Sequence, residues 1–171
     1  ADKGATAMPC AGRCDEPVSV LIGHEQWVGD AKGNLTRKPS PVPPPNPGKI
    51  EECIFSEIRM PERNTLPGYR GSGGYEGLMR ALKENTPEGV IEHIKNSKLA
   101  GRGGAAFPTG VKWQAVANAS GDPKTVVCNA DEGEPGCFKD RAILDYDPFA
   151  VIEGMTIAAY ATGAARGIIY L

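Results

Sequence analysis

The fold of this chain is decided by three segments, TVVC at residues 125–128, DPFAVIEGMTIAAY at 147–160 and GIIYL at 167–171. The first and third are short apolar runs rich in β-branched residues, a pattern typical of buried strands. The middle segment opens with Asp-Pro, which is a helix start. A strand, a helix and a strand in this order predict a parallel crossover and therefore an α/β sheet. We expect the domain to continue beyond the third segment, because it would otherwise end on its second core strand.

The helix of the middle segment is predicted to turn one face inward. That face comprises Phe149, Ile152, Met155, Thr156, Ala159 and Tyr160. Upstream, Tyr75, Leu78, Met79 and Leu82 recur at helical spacing. Thr86-Pro87-Glu88 then predicts a helix start, with Val90, Ile91 and Ile94 on its apolar face, and a short helix is expected near 110–118.

Composition limits the classes of function. A length of 171 residues suits one sizeable domain with a smaller appendage. A net charge of −2 and a pI near 5.8 provide no basic field for nucleic acid. The most apolar stretch, residues 151–171, is interrupted by Glu153 and Arg166, so no membrane insertion is predicted. The 22 glycines and 15 prolines favour a loop-rich α/β protein over a helical bundle.

Three regions follow from these patterns. Residues 1–36 resemble the tail of a domain, with a strand at 18–23 and a hairpin at 27–35. Residues 37–72 begin with the proline-rich connector RKPSPVPPPNPG and continue as a segment of low periodicity. Residues 73–171 carry the helical and strand signals and form the main domain.

The residues richest in functional information are GRGGAAFPTGVKW at 101–113. Glycines around one arginine allow a backbone to approach a ligand closely, and the Pro-Thr-Gly step predicts a helix start whose N–H groups can hold a phosphate. Lys112 lies in the first turn of that helix, and Phe107 and Trp113 offer flat faces. The segment also fits G-x-G-x-x-A, but that fingerprint must follow a strand and a helix is predicted here. A flexible turn between two helices remains the alternative.

A second constellation is NADEGEPGCFKDR at 129–141, directly after the 125–128 strand. Ligands of open α/β sheets bind at such carboxyl ends. Asn129 and Asp131 suit hydroxyl groups or the polar edge of a flavin, and three acids within four residues are typical of a functional site. A solvated, self-capping acidic turn explains the same pattern, and a carboxylate turn also suits a cation.

The five cysteines favour metal ligation or reduced thiols over a disulfide framework, because their number is odd. Cys10 and Cys14 form a C-x3-C pair, one residue wider than the usual zinc or thioredoxin pair. On spacing alone, two ordinary thiols fit this pair as well as metal ligands do. Cys128 in its strand is interpreted as a small buried apolar residue, and the isolated His24 and His93 are interpreted as structural or exposed.

Taken together, the glycine-rich and acidic motifs resemble the flavin- and NADH-binding subunits of respiratory complex I. The same family includes diaphorase subunits of NAD-linked hydrogenases and beta subunits of NAD-dependent formate dehydrogenases. The resemblance covers about residues 70–171 and includes Gly73-Gly74-Tyr75 and the Asp147-Pro148 helix. It implies a Rossmann-like FMN-binding domain. CAGRC at 10–14 resembles the second cysteine pair of a preceding thioredoxin-like [2Fe-2S] domain.

The resemblance also implies roles for individual residues. An FMN cradle would use Gly101, Arg102, Gly103 and Lys112, with Asn129 and Asp131 on the flavin. Phe107 would stack against the dinucleotide, and Glu134 would line the pocket where NADH meets the flavin. Two positions depart from the family pattern: Ala106 replaces a glycine, and Ala115 replaces an aromatic residue that holds the adenine.

On this interpretation the chain is part of a cytoplasmic redox complex that transfers hydride between NAD(P)(H) and FMN, with no side chain acting as acid or base. Its partners would be iron–sulfur and catalytic subunits of a hydrogenase, a formate dehydrogenase or a related complex. Cys10 and Cys14 would ligate [2Fe-2S] with upstream ligands, or else this member has lost the first cysteine pair and the domain is a relic. A [4Fe-4S] domain is expected beyond Leu171. Two alternatives remain: a non-catalytic docking scaffold, and a ferredoxin-type electron carrier.

Overall fold

A computed structural model describes residues 18–23, 25–39, 42–45 and 52–171. Its contacts divide them into two units: residues up to Arg59 with Glu132–Tyr146, and Met60–Asp131 with Asp147–Leu171. The elements in chain order are β1 Ser19–Ile22, β2 Glu25–Gly29, β3 Leu35–Arg37, α1 Leu66–Gly71, α2 Glu76–Glu84, α3 Pro87–Asn96, α4 Thr109–Asn118, β4 Thr125–Asn129, α5 Lys139–Tyr146, α6 Pro148–Thr162 and β5 Arg166–Tyr170. Within these ranges no helix has the length and apolarity needed to cross a bilayer.

The first unit contains α5 and an antiparallel sheet in the order β1-β2-β3. Trp27 lies opposite Val20 on one side and Arg37 on the other. The turn between β2 and β3 is closed by the Asp30 carboxylate, which accepts the backbone N–H groups of Lys32 and Asn34 at 2.8 and 2.9 Å. The predicted strand at 18–23 and the predicted hairpin are both confirmed.

The second unit is built on helices that share an apolar core. Its buried members are Ala81, Val90, Ile91 and Ala161, with Trp113, Ala117, Ile157 and Tyr160 packed against them. The predicted start of α3 is confirmed, since the Thr86 hydroxyl accepts the N–H of Gly89 at 3.1 Å. Helix α1 was not predicted, although Thr65 caps it in the same way and Pro67 lies in its first turn.

The predicted parallel crossover is confirmed. Strand β4 pairs in parallel with β5, with Val127 opposite Ile168 and Asn129 opposite Tyr170. The chain is therefore a mixed α/β protein. The expectation that both strands are buried is wrong: Val127, Ile168 and Tyr170 are 59%, 51% and 56% exposed. Helix α6 packs against both strands of this sheet.

The predicted inward face of α6 is wrong in part. Ile152 and Thr156 are exposed, whereas Glu153, Ala158, Ala161 and Thr162 are buried. Because α6 is apolar on nearly all sides, periodicity does not identify its packed face. A polar interaction does so instead. The Glu153 carboxylate accepts the Tyr69 hydroxyl at 2.5 Å and the N–H groups of Tyr75 and Leu78 at 2.7 and 2.9 Å, which fixes α6 to the start of α2.

Candidate ligand-binding site

The glycine loop connects α3 to α4 and has a closed base. The N–H of Gly101 donates to Phe107 O, and the N–H of Thr109 donates to Leu99 O, both at 2.9 Å. Residues 101–108, which form the loop, are all exposed. Since a helix and not a strand precedes this loop, the formal G-x-G-x-x-A match is not a dinucleotide fingerprint of the usual kind.

Ala106 has a backbone conformation that glycine would adopt more easily. Its φ is +48°, in the left-handed region, which costs an L-residue about 1–2 kcal/mol. Replacing glycine by alanine at this position therefore strains the backbone, although it adds only one methyl group.

The start of α4 is open, in the sense that two backbone N–H groups of its first turn have no hydrogen-bond acceptor among the described residues. Its N-cap is Pro108, which supplies no side-chain acceptor. In the first turn the N–H of Thr109 donates to Leu99 O, and the N–H of Lys112 donates to Pro108 O at 3.2 Å. Within the described residues, the N–H groups of Gly110 and Val111 have no assigned acceptor. Such groups, with the helix dipole behind them, favour an anion.

The cations and aromatic residues of this motif have different environments. Arg102 lies in the loop and Lys112 lies in the first turn of α4, and both are exposed. Phe107 is 55% exposed, so its ring is available to stack on a planar ligand. Trp113 is half-buried, because it packs against the apolar core; its interpretation as a flat face for the ligand stays a prediction.

The acidic loop begins at the carboxyl end of β4. Asn129 is the last residue of the strand, and its Oδ1 accepts the N–H of Asp131 at 3.2 Å. Both side chains are exposed and belong to the second unit. Glu134 is also exposed, but it belongs to the first unit. The glycine loop, Asn129 and Asp131 are therefore all parts of one unit.

Glu132 has a structural role that the sequence did not reveal. Its carboxylate accepts the N–H groups of Asp140 and Arg141 at 3.1 and 3.3 Å and lies 3.4 Å from the Lys139 ammonium. Burial opposes its ionisation, yet these backbone hydrogen bonds and Lys139 hold the pKa of Glu132 below its usual value. Glu132 thus caps α5 from seven residues upstream of its first residue, and no local pattern signals such a contact.

The structure leaves the cysteine proposal open. Cys10, Cys14 and His24 lie outside the described residues. Inside them, no three His, Cys, Asp or Glu side chains are grouped so as to hold a metal ion, and Cys53, Cys128 and Cys137 are not paired in disulfides. Cys128 is half-buried and His93 is exposed on α3.

Comparison with known proteins gives consistent matches. Residues 94–171, which include both motifs, match the Nuo51 FMN-binding domain of Complex1_51K. The F 2 subunit of NADH-quinone oxidoreductase from Rhizobium meliloti (strain 1021) is 48% identical over 122 residues, covering 71% of this chain and 29% of that protein. The alpha subunit of the NAD-reducing hydrogenase HoxS of Cupriavidus necator is 37% identical over 180 aligned positions, covering 98% of this chain and 30% of its own length.

A third relative is named for NADP instead of NAD. The NADP-reducing hydrogenase subunit HndC of Solidesulfovibrio fructosivorans is 45% identical over 122 residues, which is 67% of this chain and 24% of that protein. The chain thus spans between 24% and 30% of the length of these three relatives.

Proposed function

We propose, because residues 94–171 match the Nuo51 FMN-binding domain, that this chain forms part of the flavin site of a multi-subunit redox complex. The reaction is hydride transfer between NAD(P)(H) and FMN, followed by electron exchange with iron–sulfur clusters. The observation that carries the proposal is that one family match includes the glycine loop, the open start of α4 and the acidic loop together.

The donor groups of the second unit suit FMN. The FMN phosphate would accept hydrogen bonds from the free N–H groups of Gly110 and Val111 and would face the Lys112 ammonium. Around Gly103 and Gly104, open space surrounds the backbone, so a ligand can approach without meeting a side chain. Asn129 and Asp131 would hold the flavin or its ribityl hydroxyls from the end of β4.

Phe107 would stack on the dinucleotide, while Glu134 would line the nicotinamide side of the pocket. When bound, FMN accepts a hydride from the nicotinamide and releases its electrons one at a time. The side chains named here bind and orient; none has to move a proton. Their contribution to rate is to hold two rings in contact, for which effective molarity is the large effect.

The remaining parts of the proposal rest on the resemblance of the sequence motifs. The second unit would be the first part of a Rossmann-like domain, preceded by the end of a thioredoxin-like [2Fe-2S] domain that includes Cys10 and Cys14. Its partners would be iron–sulfur and catalytic subunits of a cytoplasmic hydrogenase, formate dehydrogenase or related complex. Relatives named for NAD and for NADP both match, so either nucleotide is compatible with the proposal.

The test is flavin content and diaphorase activity of the full-length protein. We expect FMN to co-purify, NADH or NADPH to reduce ferricyanide, and Lys112→Ala to lower FMN affinity by about 10- to 100-fold, the loss of one hydrogen bond to a charged group. Lys83→Ala on α2 is the control, since Lys83 is exposed on another helix. Purified protein that binds no FMN and reduces no ferricyanide would contradict the proposal.

A further inference from the structure

Helix α4 lies close against α3 at Gly110. This glycine is buried in the first turn of α4. A Cβ added to it would lie 2.6 Å from Lys95 Cγ, 2.7 Å from Lys95 N and 2.9 Å from Lys95 Cα. Real Cβ atoms essentially never make contacts shorter than 3.0 Å. Because two of these atoms are backbone atoms of α3, no side-chain rotation relieves the overlap.

A second contact joins the same two helices, one turn after Gly110 along α4. Lys95 Nζ donates to Gln114 Oε1 at 3.1 Å, and Gln114 lies four residues after Gly110, on the same face of α4. The last turn of α3 is thus fixed against the first two turns of α4. These contacts set where the open N–H groups of Gly110 and Val111 lie relative to the closed base of the glycine loop.

We infer that Gly110 is a positioning residue for the phosphate of the flavin, a role that rests on the proposed function. It acts through the first turn of α4: lacking a side chain, it lets this turn lie against the Lys95 backbone, and so places the open N–H groups and Lys112 around one anion. An alanine at this position displaces the helix start from α3 and enlarges that anion site.

The test compares FMN with riboflavin, which lacks the phosphate, on full-length protein freed of flavin. For Gly110→Ala we expect the FMN dissociation constant, measured by quenching of flavin fluorescence, to rise about tenfold or more. The riboflavin dissociation constant should stay within twofold of wild type. A role in folding alone would weaken both ligands equally, and that result, or an unchanged FMN constant, overturns the inference.

Two further variants complete the test. Gly154→Ala makes the same chemical change in α6, where the glycine is exposed and an added Cβ meets nothing within 4 Å; both flavin constants should be unchanged. Should Gly110→Ala fail to fold, Gln114→Ala is the test variant. The inference then requires a two- to threefold loss of FMN affinity with riboflavin affinity unchanged, and an unchanged FMN affinity overturns it. Wild-type protein that binds neither flavin overturns the proposed function and the inference with it.

Discussion

Helices α3 and α4 begin with the same two residue types in opposite order. At the start of α3, Thr86 precedes Pro87, and the threonine hydroxyl caps the helix by accepting the N–H of Gly89. At the start of α4, Pro108 precedes Thr109, so proline occupies the N-cap and no side chain caps the helix. The order of the two residues therefore decides whether a helix start satisfies its own N–H groups or leaves them for a ligand.

The largest effect is expected from closing the open start. In Pro108→Asp, the new carboxylate can accept the N–H of Gly110 or Val111 and places a negative charge where the phosphate would lie. We expect the FMN dissociation constant to rise about 100-fold or more, which corresponds to about 2.8 kcal/mol, while the flavin-free protein melts at the wild-type temperature or above it.

The matched control is Pro108→Asn, which supplies a cap without a charge and should weaken FMN binding about tenfold. Equilibrium titration with FMN measures both variants. An aspartate variant that binds FMN as tightly as wild type would show that the phosphate does not lie at this helix start.

A smaller effect is expected from opening the closed start. Thr86→Ala removes the hydroxyl that caps α3 and should lower the free energy of unfolding by about 1 kcal/mol. Thr109→Ala, the corresponding change in α4, should cost less than about 0.5 kcal/mol, because Thr109 is not a cap. Urea denaturation of the flavin-free protein measures both; equal losses would contradict the comparison. Thr86→Ala should leave FMN affinity within twofold of wild type.

The smallest effect concerns α5, whose start is capped by Glu132 from upstream. The folded-state pKa of Glu132 is lowered, so its ionised form stabilises the protein above the ordinary glutamate pKa of 4.5, and this stabilisation is lost as the pH falls through the lowered value. Glu132→Gln should therefore cost about 0.5 kcal/mol at pH 7 and progressively less below pH 4.5.

Glu134→Gln is the control for that series, because Glu134 is exposed. Its urea midpoint should follow that of wild type at every pH. If the Glu132→Gln difference stays constant from pH 7 into the acid range, the carboxylate charge does not contribute to the cap.

Local signals predicted those parts of the fold that local interactions determine. Thr86-Pro87 revealed the start of α3, and the apolar runs at 125–128 and 167–171 revealed a parallel strand pair. The packed face of α6 was not predictable, because it depends on Glu153 accepting hydrogen bonds from residues more than 70 positions earlier in the chain. The packing of Trp113 was not predictable for the same reason, since the core against which it lies is assembled from separate helices.

The candidate site shows the same division. The motif predicted the helix start at Pro108-Thr109, but not that Gly110 packs against the Lys95 backbone, which requires two helices in register. Three neighbouring acids suggested one site, yet Glu132 caps a helix while Asp131 and Glu134 are exposed. The assignment of Asn129, Asp131, Phe107 and Glu134 to flavin and dinucleotide remains a prediction.

The central claim, that the open start of α4 holds the FMN phosphate, is tested most directly by hydrogen exchange of the full-length protein. With FMN, the amides of Gly110 and Val111 should exchange at least tenfold more slowly than without ligand. The amide of Gly89, already capped in α3, should exchange as before. Riboflavin should leave all three unchanged. Equal exchange at Gly110 and Val111 with and without FMN would contradict the claim.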